Sequence, residues 1–140
     1  MDSTLIHHRV PFHDVDVMQM VWHGHYMKYF ELARTQFMQA LELDWPVIRQ
    51  HGFVMPVVSS SVEHRVPLRY DELVTIRVSC EDPLLAHLIL NFQIMGSDLG
   101  VRAWGRTKQV YMALEPYELC FEQPSVLAAI MRGNLQKVTS

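Results

Sequence analysis

Two carboxylates and three imidazoles crowd one short stretch of the chain: His13, Asp14, Asp16, His23 and His25, inside the run from Phe12 to Tyr26. Such groups take up and deliver protons near neutral pH, and a carboxylate can also attack an electrophilic carbon. Immediately downstream, Tyr26, Phe30, Ala33, Phe37 and Leu41 recur at the spacing of one apolar helix face. The acidic loop therefore delivers its side chains to a helix N-terminus. There the first backbone N–H groups lack intrahelical partners and carry partial positive charge, which polarises a carbonyl or holds an oxyanion. A carboxylate beside such a site suggests acyl-transfer chemistry.

The elements that must position these groups follow from periodicity, in the order strand, helix, strands. Val58, Ser60, Val62, His64 and Val66 alternate with Ser59, Ser61, Glu63 and Arg65, which predicts a long strand with one packed face. Val74, Ile76, Val78 and Cys80 define a second strand, and Leu88, Leu90, Phe92 and Ile94 a third. Val101 to Met112 makes the last, with Trp104, Arg106 and Lys108 opposite Ala103, Gly105 and Thr107, and Gly105 is read as a bulge. Turn signals at Pro67–Glu72, Glu81–Pro83 and Ser97–Gly100 separate them. A short helix over 45–52, with Pro46 in its first turn and ended by Gly52, precedes the strands. Another, from Pro124 to Arg132, is read as stopped by Gly133. One apolar helix and a four-strand antiparallel meander predict an α+β fold in which a curved sheet buries the helix. The open sheet edges favour pairing with a second copy.

Composition narrows the classes further. The chain has 140 residues, 49% of them hydrophobic, which predicts one domain over 1–140 with a substantial core. A net charge of -3 without a basic stripe argues against nucleic acid as a partner. No apolar run approaches the roughly 20 residues of a membrane span, and the first residues do not read as a signal peptide, so a soluble cytoplasmic protein is expected. Cys80 and Cys120 form no Cys-x-x-Cys pair and are read as small buried hydrophobes.

The motif itself resembles the hotdog-fold thioesterases of the 4-hydroxybenzoyl-CoA thioesterase type, which include the acyl-CoA thioesterases associated with the Tol-Pal system. The matching residues are Asp14-Val15-Asp16, Val21-Trp22-His23-Gly24-His25-Tyr26 and Phe30-Glu31-Leu32-Ala33-Arg34, with Val66-Pro67-Leu68-Arg69-Tyr70-Asp71-Glu72 similar to the turn between the first two long meander strands. The resemblance spans residues 8–113. It implies hydrolysis of an acyl-CoA or acyl carrier protein thioester, with no cofactor beyond the coenzyme A or phosphopantetheine of the substrate, at a site completed by a second subunit of a homodimer or a tetramer. Asp16 is implied as catalytic carboxylate, acting as nucleophile or as general base. His23 is implied to offer its backbone N–H to the thioester carbonyl, and its side chain is a second catalytic candidate. Trp22, Gly24, His25 and Tyr26 are expected to contact substrate. Gln19 stands where the family usually has a small residue, His25 where it has Asn or Ser, and Phe12 near a Tyr of Tol-Pal-type members; these departures bear on substrate choice.

Each assignment has a competing reading. Asp16 could serve only as a turn or capping carboxylate, Asp14 is read as structural, bonding turn amides, and His25 is as suited to bonding Asp14 or Asp16 as to touching substrate. His13, Asp16, His23 and His25 are metal-ligand types, but no metal is expected. Ser59-Ser60-Ser61 lacks a nucleophile elbow, so its small side chains, Ser60 among them, are read as making room for a ligand or for the central helix. His7 and His8 are read as solvated, and His64 and His87 as strand-surface or satisfied core residues. Glu31 and Arg34 can pair along the helix. Arg65, Arg69, Arg102, Arg106 and Lys108 are candidate cations for substrate phosphates, and a solvated sheet face accounts for them equally well. Met18, Met20, Trp22, Met27 and Met38 suggest an adaptable pocket for a medium or long aliphatic acyl group, with ordinary core packing as the competing reading. A hydratase or dehydratase on the same fold, and a non-catalytic acyl-thioester-binding protein, are the alternatives.

Overall fold

A computed structural model describes residues 3–138. Its central element is α1 (Tyr26–Ala40), whose Tyr26, Phe30, Ala33 and Phe37 are buried, as is Leu41 just beyond it. The face read from the sequence is therefore the face that packs. Five strands receive it: β1 (Ser3–Arg9), β3 (Val57–His64), β4 (Leu73–Cys80), β5 (His87–Met95) and β6 (Val101–Val110), in the order β1-β4-β5-β6-β3, all antiparallel. Ile76, Val78, Leu90, Phe92, Ile94 and Ala103 form the inner wall, and Phe30 stacks on Phe92 at 4.8 Å between ring centroids.

Several expectations change in three dimensions. Only β4, β5 and β6 form a meander, because β3 pairs with β6 and its connection to β4 crosses the breadth of the sheet. The stretch over 66–72 is thus a crossover, held by Arg102, which donates to the Pro67 carbonyl at 3.1 Å and pairs with Glu72 at 2.6 Å. Nor does β3 have a packed face: all its residues are exposed except half-buried Val62, as befits an edge strand with one neighbour, β6. Gly105 sits in regular register opposite Phe92 and Val62 and makes no bulge. A Cβ there would collide with the Phe30 ring, so the glycine admits the helix. The bulges fall instead between Ile94 and Met95 and between Val57 and Ser59.

The first strand also corrects the view of His8 as solvated, whereas His7 is exposed as expected. β1 pairs with β4, His7 meets the Thr75 hydroxyl at 3.2 Å, and His8 lies half-buried with its ring edge 4.8 Å from Tyr29. Strand pairing, which needs a distant partner, holds what looked like a frayed end. α2 (Trp45–Gln50) ends near Gly52, whose φ of +91° suits only glycine readily. A small sheet of β2 (Phe53–Val54), β7 (Met112–Leu114) and β8 (Tyr117–Leu119) was not expected. It splits the last predicted strand at buried Tyr111, whose hydroxyl burial pushes up to about 12 while Gln123 donates to it at 2.9 Å. α3 (Ser125–Asn134) runs through Gly133 rather than stopping there. Cys80 is buried, Cys120 only partly, and neither is in a disulfide.

Candidate active site

The loop before α1 is built around Asp14. Its carboxylate is buried and accepts hydrogen bonds from the Tyr29 hydroxyl at 2.7 Å and from the Lys28 ammonium, both on α1. Burial alone would raise its pKa, but these hydrogen bonds and the neighbouring Lys28 and His25 charges overcome that and leave it lowered. The same burial, with the Asp14 charge, pushes the Tyr29 hydroxyl well up, so it stays a donor. Asp14 bonds helix side chains through its carboxylate rather than the turn amides expected of it, while its carbonyl accepts the Trp22 N–H at 3.0 Å.

From that anchor the chain closes a narrow loop. Val15 and Val21 bridge, the Asp16 N–H donates to the Met20 carbonyl at 2.9 Å, and the Val21 N–H donates to the Leu68 carbonyl at 2.8 Å. Asp16 accepts the Met18 N–H at 2.8 Å, an Asx turn that fixes the carboxylate relative to the loop. Gln19 closes the turn at φ +62°, a left-handed conformation that explains why a small residue suits the position, and Arg69 braces it by donating to its carbonyl at 3.0 Å.

The loop and the helix start bring Asp16 and His23 into one cleft of about 260 Å³, lined also by Met18, Met20, Tyr26, His64 and Pro67. His23 opens the short turn His23–His25, and an N–H at such a start precedes the first intrahelical acceptor. Trp22 is half-exposed, with His23 and His25 at 5.2 and 5.3 Å between ring centroids, and its ring leaves no room for a side chain at Gly24. His25 turns to Asp14, its Nε2 3.9 Å from a carboxylate oxygen. Tyr26 is 2% exposed, accepts the Leu68 N–H at 3.3 Å and meets His64 edge-on, so the cleft touches a core residue. Its hydroxyl is pushed up, chiefly by burial. Ser60 lies on exposed β3 opposite Thr107, outside the lining of this cleft.

His64 was missed. It ends β3 with its ring 6.4 Å from that of His23, and a single histidine in an alternating strand carries no sign of this. Among the described residues no three metal-ligating side chains cluster, and His13 and His25 both lie nearer Asp14. Glu31 and Arg34 form the expected pair on α1, bonded twice.

Comparison with known families decides the affiliation: the profile of the thioesterase-like superfamily matches residues 10–130. The chain belongs to that superfamily. An Aquifex aeolicus protein provisionally named an esterase is 25% identical over 93 residues, 66% of this chain and 73% of its own length. The chain spans only about half of two further relatives, 55% of one from Synechocystis and 53% of one from Bacillus subtilis. Among solved structures, a 1,4-dihydroxy-2-naphthoyl-CoA thioesterase from Synechocystis superposes with a TM-score of 0.81 at 15% identity, over 93% of this chain and 96% of that one. A 4-hydroxybenzoyl CoA thioesterase complexed with its CoA ester gives a TM-score of 0.81 at 16% identity, over 94% and 99%. These likenesses identify the hotdog fold, in agreement with the resemblance read from the motif. In this thioesterase-like chain no described helix is long and apolar enough to cross a membrane.

Proposed function

We propose that the protein hydrolyses an acyl thioester of coenzyme A or of acyl carrier protein in the cytoplasm, releasing a carboxylic acid and a thiol without a metal or other cofactor. The observation that carries this is the shared cleft of Asp16 and His23, a carboxylate beside the N–H groups that open a helix. The thioester carbonyl lies against the His23 N–H, which takes up the negative charge that develops on oxygen. As general base, Asp16 removes a proton from water while the oxygen bonds to the carbonyl carbon. Collapse of the adduct breaks the carbon–sulfur bond, and the thiolate leaves and is protonated. As nucleophile, Asp16 forms an anhydride with loss of the thiolate, and water then cleaves it. Single turnover in ¹⁸O-labelled water separates the two, since only the anhydride route can leave label in Asp16. Met18 and Met20 line the cleft and favour a medium or long aliphatic acyl group.

The unpaired, exposed edge of β3 supports a homodimer, or a tetramer built from it, that pairs this edge with a second copy. Thiol release from acyl-CoA and acyl carrier protein substrates, by wild type and Asp16→Asn, tests the reading. Asparagine keeps an oxygen for the Met18 N–H, so turnover should fall by roughly 10²-fold or more with the fold intact. Undiminished turnover would exclude Asp16 as the catalytic carboxylate. Binding without turnover would favour a non-catalytic thioester-binding protein, and hydration of an enoyl thioester without thiol release a hydratase.

A further inference from the structure

Tyr117, Leu119 and Phe121 recur at every second position on β8 and just beyond it. All three stand in water, Phe121 84% exposed, Tyr117 64% and Leu119 43%. Alternate residues of an extended segment share one face, so Tyr117 and Leu119 form a strip that Phe121 prolongs. The Gln123 side-chain amide donates to the Pro83 carbonyl at 3.0 Å, which holds this segment against the turn bearing exposed Leu84 and Leu85. Large apolar side chains gathered in water mark a recognition surface.

The strip runs along a free strand edge. β8 ends the order β2-β7-β8, so β7 is its one neighbour. In an antiparallel pair, alternate residues turn their backbone groups toward the neighbouring strand. The Cys120 N–H donates to the Tyr111 carbonyl at 2.8 Å, so Cys120 and Glu118 face β7, and Tyr117 and Leu119 turn their N–H and C=O outward. An incoming strand finds there both main-chain hydrogen bonds and an apolar strip for its alternate side chains.

Charge selects the partner. Glu115, Glu118 and Glu122 are interleaved with the strip, Asp82 lies on the adjoining turn, and all four are exposed. Glu81 beside them is answered by Arg106, but no Lys or Arg occurs from Leu114 to Val126. A second copy added at this edge would bring these carboxylates against their own kind, which is destabilising across a sheet. Guarding an edge from self-pairing explains the carboxylates but not the apolar strip.

We propose that β8 is a docking edge for an extended basic segment of a partner protein. Lysines or arginines of that segment meet Glu115, Glu118 and Glu122, while its apolar side chains cover Tyr117, Leu119 and Phe121. The surface shares no residue with the lining of the Asp16 and His23 cleft, so the proposal is independent of the chemistry there. The test titrates the intact protein into a fluorescein-labelled peptide of alternating valine and lysine and follows its anisotropy. Saturable binding that weakens as salt rises is expected. Two variants, Phe121→Ser and Glu118→Lys combined with Glu122→Lys, should each weaken it by roughly ten-fold or more. Methylating the valine amide nitrogens of the peptide should weaken it likewise, because the donors to the strand edge are then lost. These positions are exposed, so an unchanged melting temperature shows that each variant keeps its fold. A valine–glutamate peptide should not bind. Absent binding of the valine–lysine peptide, equal binding of both peptides, or binding unchanged in both variants overturns the proposal. So does a change in oligomeric state on Leu119→Lys, which would make this edge a contact between copies.

Discussion

The Tyr29 hydroxyl donates to the Asp14 carboxylate at 2.7 Å inside the core, joining the catalytic-loop candidate to the buried face of α1. Because Asp14 also accepts the Trp22 N–H through its carbonyl, one residue sets both arms of the loop relative to the helix. Asp16 lies two residues beyond that anchor and His23 one residue beyond Trp22. The distance between a candidate base and a candidate oxyanion donor is thus governed by a residue outside the lining of their cleft.

Asp14→Ala should cost about 1–3 kcal/mol, because it strands the buried Tyr29 hydroxyl, whereas the Lys28 side chain, 45% exposed, can turn to water. Urea unfolding measures this. A loss under 1 kcal/mol would mean that water replaces the carboxylate without penalty.

The pH dependence of stability should have two components of the same sign. Burial of the His8 ring lowers its pKa below the ordinary 6.5, only partly offset by the Asp14 charge. The folded state thus binds a proton later than the unfolded chain. This contribution is complete above pH 6.5 and is lost as pH falls from there through the folded value. The lowered pKa of Asp14 acts below its ordinary 3.8, so its contribution is present above that pH and is lost as pH falls through the folded value. The melting temperature of wild type should therefore decline on acidification from neutral pH, and His8→Phe should flatten the upper part of that decline. An equal slope in the variant would remove His8 as its source. The buried His8 Nε2 has no hydrogen-bond partner among the described residues, so the phenylalanine should not destabilise the fold at neutral pH.

Gly105→Ala should destabilise by about 1–3 kcal/mol, since its Cβ meets the Phe30 ring and overpacks the helix against the sheet. Adding Phe30→Leu should recover part of the loss in denaturant unfolding. Strict additivity of the two substitutions would show that this contact is not the cause.

Gln19→Gly should stabilise by roughly 0.5–1 kcal/mol, because a φ of +62° strains a residue with a side chain. The gain is net of the greater freedom that glycine confers on the unfolded chain. A crystal structure showing the loop unchanged, together with the unfolding free energy, checks it.

The central helix was legible because its buried face repeats every three to four residues and depends on nothing else in the chain. Phe30, Ala33 and Phe37 had no alternative that kept them from water. The Asp16 motif was legible for a related reason: the loop reaches the helix start within a few bonded residues, so local sequence brings Asp16 and His23 near each other. Strand order was another matter. The alternation in β3 names a strand but not its neighbour, and pairing with β6 rather than β4 follows from where the crossover over 66–72 can pass. Long-range pairing likewise ordered β1 and turned His8 inward, and it placed His64 opposite His23 and Tyr70 beside Phe12. Gly105 shows the division most plainly: an isolated glycine in a strand fits a bulge or a close approach equally well, and only the Phe30 ring above it decides. By itself, the sequence determined the central helix and the long strands that follow it, which depend on neighbours along the chain. Tertiary structure alone decided which strand lies at the edge, which histidines face the cleft and which aromatics share a surface, because these depend on contacts between residues far apart in sequence.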